Sequence, residues 1–156
     1  MRVDHAVKTV VVGYGFAGRD FHCYLVRLAP GLALHGVVSR NPDNRDRIER
    51  EQGCAVFGSL QAALDDPEVE LVVLATPNAT HADLAVQCLD AGKHVVTDKV
   101  MCLTLADCDR MLAAAQRNGR LLTVFQNRRF DGDYLTVRRL CLLRAWRVPA
   151  GRGRTW

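Results

Sequence analysis

Thr9-Val10-Val11-Val12-Gly13-Tyr14-Gly15-Phe16-Ala17-Gly18 is the stretch whose reading decides the fold. A β-branched run ends at a glycine, and a G-x-G-x-x-G spacing leads into residues with helical periodicity from Ala17 to Leu28. The order strand, glycine turn, helix gives the spacing its meaning. Gly13 allows a tight turn, Gly15 lets the backbone approach a pyrophosphate, and Gly18 lets the helix pack close to the strand. Unpaired N–H groups at the helix start, around Phe16 and Ala17, then point at phosphate oxygens. The expectation is a dinucleotide site, against the plainer reading of a glycine-rich structural turn.

Working outward, short apolar runs alternate with amphipathic stretches, the pattern of βαβ units around a parallel sheet. Strands are expected at Leu32–Val38, Ala55–Phe57, Val69–Ala75, Val95–Thr97 and Leu121–Phe125. Leu71-Val72-Val73-Leu74 is apolar on both faces, which suits a central strand covered on each side. Between the strands, helices are expected from Asp43 to Gln52 with Gly53 closing, after a Ser59 cap, from an Asn78 cap to Ala91, and from Thr104 to Asn118 before Gly119. A last helix is expected from Asp131 to Leu143. The fold class is therefore α/β, a doubly wound, mainly parallel sheet in a single domain.

The end of the second strand bears on the cofactor. Many dinucleotide sites place an acid there to accept from the adenosine 2′-hydroxyl. This chain reads Val38-Ser39-Arg40-Asn41. Ser39 and Arg40 can donate to a 2′-phosphate that a carboxylate would repel, so NADP(H) is expected ahead of NAD(H). The alternative is that Arg40 is a solvated surface arginine and Asp43 does the work of the acid.

Composition narrows the field. The 156 residues carry a formal charge of +4 and are 49% apolar. A chain of this size buries roughly 70% of its unfolded surface, enough for one core. The positive excess sits after Cys141, so a nucleic-acid partner is not expected. No run nears the ~18 apolar residues of a membrane span. Six scattered cysteines form no C-x-x-C pair, so no metal site is expected, and Met1 to Val7 has no secretory character. The expected setting is cytoplasmic, with free thiols and a monomeric chain.

Three further segments carry a family resemblance. Thr76-Pro77-Asn78-Ala79-Thr80-His81 resembles the T-P-x-x-x-H segment of the glucose-fructose oxidoreductase/inositol dehydrogenase (Gfo/Idh/MocA) family. Ala91-Gly92-Lys93-His94-Val95-Val96-Thr97-Asp98-Lys99-Val100 resembles its A-G-K-H-V-x-x-E-K-P motif. Asn127-Arg128-Arg129-Phe130-Asp131-Gly132-Asp133-Tyr134-Leu135-Thr136, with the Phe21-His22 and Ser39-Arg40 pairs, is similar to a branch containing NADP-dependent scyllo-inositol dehydrogenases. The resemblance covers about residues 8 to 140. It implies an N-terminal Rossmann domain and hydride transfer between a nicotinamide and a sugar or polyol carbon.

The resemblance also implies site roles. Lys99 takes the position of the lysine that assists proton transfer, with a solvated surface lysine as the alternative. Asp98 takes that of the glutamate. Thr76, Pro77, Asn78 and His81 fall near the nicotinamide, although Asn78 as a helix cap and His81 as a first-turn residue are equally open. Two departures stand out. Val100 replaces the motif's proline, and a cis bond before a non-proline residue costs about 2.5–4 kcal/mol, so a trans Lys99–Val100 bond is expected. After about Leu140 the likeness ends, and residues 141–156 read as a divergent basic tail, as translation out of frame, or as a short tail with a role of its own. The domain that would complete the family's active site, and through which its members oligomerise, is expected to be missing. The chain would then be a weak or inactive oxidoreductase domain, a non-enzymatic NADP(H)-binding fragment, or half of a two-chain enzyme.

Overall fold

The computed structural model describes residues 5–142, and the basic tail expected at 141–156 lies almost wholly outside them. The described chain divides into one unit ending at Phe125 and a second beginning at Gln126. In the first, six parallel strands stand in the order β3-β2-β1-β4-β5-β6. They are β1 (Val7–Val12), β2 (Leu32–Val38), β3 (Ala55–Phe57), β4 (Leu71–Leu74), β5 (His94–Thr97) and β6 (Leu122–Val124). The helices are α1 (Tyr24–Leu28), α2 (Arg45–Gln52), α3 (Leu60–Leu64), α4 (His81–Asp90) and α5 (Leu105–Asn118). The strand order reverses between β1 and β4. Ligands of open α/β sheets bind at such a switch point, beyond the carboxyl ends of the strands.

Alternation along the strands makes the two layers. Val10 and Val12 face a core built with Leu64 of α3, Leu89 of α4 and Met111 of α5. Val11 faces the other side, with Cys23, Val26 of α1 and Ile48 of α2. Successive side chains of a strand point to opposite faces, so three consecutive valines feed two cores. Burial of an aliphatic side chain contributes ~1.5–3 kcal/mol, which makes β1 the anchor of both layers.

Local signals end the helices where the residues predict. The Ser59 hydroxyl accepts from Ala62 N at 3.1 Å and the Thr104 hydroxyl from Asp107 N at 3.1 Å. Gly53 and Gly119 close α2 and α5 in the left-handed conformation. The first helix differs: Ala17–Cys23 is wound as a π-helix before α1. Such wide turns cluster at functional sites. The expected Asn78 cap is also not formed. The segment starts as a 3-10 turn over Asn78–Thr80 with Pro77 at its cap position. There the Thr80 hydroxyl lies 2.7 Å from the Pro77 carbonyl oxygen and 2.8 Å from the Thr76 hydroxyl, and the Thr80 N–H donates to the Pro77 carbonyl at 2.9 Å.

The structure gives the lysine and histidine of the A-G-K-H-V segment work within the fold. Lys93 is buried, and its Nζ donates to the carbonyls of Asp66 at 2.9 Å and Val69 at 2.8 Å. The His94 Nδ1 accepts from Leu121 N at 2.9 Å, joining β5 to the start of β6. Gly36 has a role that the sequence reading did not assign. A Cβ there would lie 2.5 Å from Phe57 Cε2 and 2.9 Å from the Ala55 carbonyl oxygen, so only glycine lets β3 pair with β2. The second unit holds a short turn at Asn127–Phe130 and α6 (Gly132–Leu142), which buries no residue.

Candidate cofactor site

A cleft of about 440 Å³ opens at the switch point. Gly13, Gly15, Ser39, Arg40, Thr76 and Pro77 line it together with Val12, Val38, Leu60, Ala75, Thr80 and Leu84. Residues up to 72 positions apart in the chain thus share one surface because β1, β2 and β4 end side by side.

The three glycines differ in what surrounds them. Gly13 has φ +97°, and a Cβ on it would stand 2.6 Å from the Ala75 carbonyl oxygen. At Gly18 a Cβ would meet the Gly13 carbonyl oxygen at 2.0 Å, so the helix start lies directly on the turn. Around Gly15 nothing stands within 4 Å. That empty side faces the cleft, as a position reserved for close approach of a ligand would. Phe16 is 73% exposed, with Phe21 edge-on at a ring separation of 5.2 Å, and Ala17 begins the wide helical turn.

A network unsuspected from the sequence holds the glycine turn. The Tyr14 hydroxyl donates to Glu51 Oε2 at 2.7 Å and accepts from Gln52 Nε2 at 3.0 Å. Arg19 binds the same carboxylate through Nε at 2.7 Å and Nη2 at 3.1 Å, and Arg47 adds a contact at 2.9 Å. The Arg19 and Arg47 guanidinium groups and the Tyr14 hydroxyl hold the Glu51 carboxyl down to about 2. Burial, aided by Glu51, pushes the Tyr14 phenol up to about 12. The turn is thereby fastened to α2, a contact across 37 positions that no local pattern signals.

At the β2 end, Ser39 is buried, with its N–H on the Phe57 carbonyl at 3.0 Å. Its hydroxyl donates to the Asn41 carbonyl at 3.4 Å and accepts from Asn44 Nδ2 at 3.2 Å. Arg40 is exposed and forms no ion pair among the described residues. Asp43 is exposed too, and its N–H turns back onto Asn41 Oδ1 at 3.0 Å.

At the β5 end, Asp98 N donates to the Leu74 carbonyl at 2.9 Å, and Asp98 Oδ1 accepts from Lys99 N at 2.7 Å. The other carboxylate oxygen lies 3.5 Å from Nε2 of His22. His22 is buried, with its ring edge-on to Phe125 at 4.8 Å. Burial lowers its pKa against the opposing pull of Asp98, which keeps the imidazole neutral. Two buried polar atoms among the described residues lack a hydrogen-bond partner, His22 Nε2 and Thr97 Oγ1, and both stand at this strand end. Only the Phe21-His22 pair hinted at the first. Lys99 is exposed, and its ammonium makes no hydrogen bond or ion pair among the described residues. The Lys99–Val100 bond is cis, which corrects the trans bond expected from the loss of the proline. The Val100 carbonyl of that turn is held by His81.

Of the remaining expected residues, Asn78 is exposed beside Pro77. His81 does not reach the cleft: it is completely buried, and both ring nitrogens lie on backbone carbonyls. Away from the cleft, His35, Asp66 and Glu68 bring their ligand atoms together. There His35 pairs with Asp66 at 2.9 Å and Glu68 pairs with Lys8. Among the described residues no helix is long and apolar enough to cross a membrane.

A six-stranded parallel sheet with the reversal at β1/β4, and a glycine turn opening into the cleft there, define a Rossmann-type nucleotide-binding domain. Residues 7–126 match the oxidoreductase family with an NAD-binding Rossmann fold (GFO_IDH_MocA), and the chain belongs to that family. It is 33% identical over 141 residues to the scyllo-inositol 2-dehydrogenase (NADP(+)) IolW of Bacillus subtilis, covering 89% of this chain and 38% of that protein. A crystal structure of a putative oxidoreductase from Klebsiella pneumoniae superposes with a TM-score of 0.82 at 42% identity, covering 89% of this chain and 40% of the other. The WlbA dehydrogenase of Bordetella pertussis, solved with NADH and UDP-GlcNAcA, superposes with a TM-score of 0.81 at 28% identity, covering 89% and 42%. The chain therefore spans about two fifths of the length of these relatives.

Proposed function

We propose that this chain binds NADP(H) across the carboxyl edge of its sheet and serves an oxidoreductase acting on a sugar or polyol hydroxyl. The observation that carries the reading is the single cleft joining Gly13 and Gly15 to Ser39 and Arg40 on one side and to Thr76 and Pro77 on the other. The pyrophosphate fits over Gly15, where no atom blocks its approach. The adenosine then lies toward β2, where the exposed Arg40, without an ion-pair partner among the described residues, meets the 2′-phosphate. The Ser39 hydroxyl is engaged within its own loop, so Arg40 bears most of the preference. A charge-assisted bond of this kind contributes ~1.5–3 kcal/mol.

The nicotinamide half extends over β4 and β5, past Thr76, Pro77 and Asn78 toward Asp98 and Lys99. The bound dinucleotide supplies or accepts the hydride. Lys99 holds or releases the proton of the substrate hydroxyl, and Asp98 fixes the backbone from which Lys99 projects. The kinship to IolW, a scyllo-inositol 2-dehydrogenase (NADP(+)), supports a polyol substrate and NADP, whereas the WlbA relative is solved with NADH. Fluorescence titration of the chain with NADPH and with NADH tests the reading. A lower Kd for NADPH, by at least about tenfold, is the expected result. Equal affinity would remove the role of Arg40, and no binding of either would remove the cofactor site.

A second reading is a dinucleotide-binding module without turnover of its own. The observation in its favour is that no described neighbour orients the Lys99 ammonium. Polyol-dependent reduction of NADP+ by these 156 residues at ~1 s⁻¹ or faster would exclude it.

A further inference from the structure

We propose that His81 is a positioning residue, whose imidazole ties the loop after β4 to the loop after β5 and so sets where Lys99 and the nicotinamide stand. The inference rests on the cofactor reading above. His81 opens α4 with its side chain completely buried. Its Nδ1 lies 2.7 Å from the Val100 carbonyl oxygen and its Nε2 lies 2.9 Å from the Thr76 carbonyl oxygen. Thr76 is part of the cleft wall, and Val100 follows Lys99 directly. The ring thus grips the wall and the lysine turn from behind. Among the described residues it alone joins these two loops through side-chain hydrogen bonds. The Thr80 hydroxyl stays within the first loop, and the Asp98 carboxylate bonds to its neighbour Lys99 N and otherwise faces His22.

The chemistry of the two partners distinguishes a clamp from core filling. Carbonyl oxygens only accept, so each tie is an N–H of the ring donating to a backbone carbonyl, which no apolar side chain can supply. A buried polar ring left without partners would cost more than an apolar side chain of its size. An isosteric apolar residue would fill the volume and leave the two loops untied.

The test compares two ligands on His81→Leu and His81→Gln. Adenosine 2′,5′-bisphosphate reads the adenosine half of the cleft, and NADPH reads both halves. The expected result for His81→Leu is an unchanged Kd for the bisphosphate, within about twofold, and a Kd for NADPH raised about five- to tenfold. His81→Gln, whose single amide nitrogen reaches one carbonyl, should fall between and keeps the test available if the leucine variant does not fold. Amide hydrogen exchange at Thr80, Asp98 and Lys99, whose N–H groups are hydrogen-bonded in the two loops, should quicken in both variants while β1 stays protected. Equal weakening of both ligands, or unchanged NADPH binding, would overturn the proposal. If the unsubstituted chain bound neither ligand, the cofactor reading would fail, and exchange alone would decide the clamp. Quickening confined to the two loops would uphold it, and unchanged exchange would refute it.

Discussion

Two glycines three residues apart should answer to alanine in opposite ways. In Gly18→Ala the new Cβ would lie 2.0 Å from the Gly13 carbonyl oxygen and 3.0 Å from its carbon, both backbone atoms. Neither can rotate away, so the helix start must lift from the turn by more than an ångström. Overpacking of this kind costs about 1–3 kcal/mol, and backbone against backbone places it near the upper end. For a domain of this size that amounts to a fall in Tm of roughly 8–12 °C. Gly15→Ala meets nothing within 4 Å and does not sit at positive φ. Its melting should move by no more than ~0.5 kcal/mol in either direction. Its methyl group would nonetheless occupy the space assigned to the pyrophosphate, so NADPH affinity should fall at least about tenfold. Differential scanning fluorimetry with and without NADPH reads both effects. A Gly18→Ala protein that melts with the unsubstituted chain would refute the packing argument. A Gly15→Ala protein that binds NADPH normally would refute the pyrophosphate placement.

Other substitutions probe the remaining links. Arg40→Glu should lose roughly ten- to a hundredfold in NADPH affinity while NADH binding holds or improves, as isothermal titration would show. The Glu51 carboxyl is held at about 2 in the fold, below its ordinary value of 4.5. Its contribution to stability is therefore complete above about pH 5 and lost as pH falls toward 2, whereas Glu51→Gln should melt with a flatter acid limb. Tyr14 works in the opposite sense. Raised from 10.0 to about 12, its contribution is complete below pH 10 and lost as pH rises through 12, and Tyr14→Phe should remove that alkaline loss. Lys93→Met would strip the buried Val69 carbonyl and the half-buried Asp66 carbonyl of their donor and should destabilise by ~2–4 kcal/mol in urea unfolding without changing the cleft.

What the sequence made legible was local. The glycine spacing after a valine run, the Ser59 cap and the glycine stops at 53 and 119 each act within a few residues, and each stands where its local chemistry placed it. The cleft was legible because a parallel sheet brings the ends of β1, β2 and β4 together once the strands are recognised. The remainder depends on partners far away in the chain. Tyr14 gives no sign of Glu51, Gly36 none of Phe57, and His81 none of the Val100 carbonyl. The T-P-x-x-x-H likeness suggested His81 for the cofactor, but its ring is committed behind the wall instead. The propensity of asparagine to cap gave way at Asn78 because Pro77 opens a 3-10 turn there. The cost of a cis bond before valine argued for trans at Lys99–Val100, and the structure has it cis.

The most direct test of the central claim is amide chemical-shift mapping of the labelled chain on addition of NADP+. Perturbations centred on Gly13–Gly18, Arg40 and Thr76–Asn78, with smaller ones at Asp98 and Lys99, would place the dinucleotide in the cleft at the β1/β4 switch point. Saturable shifts confined to other surfaces, or no shifts at millimolar NADP+, would contradict it.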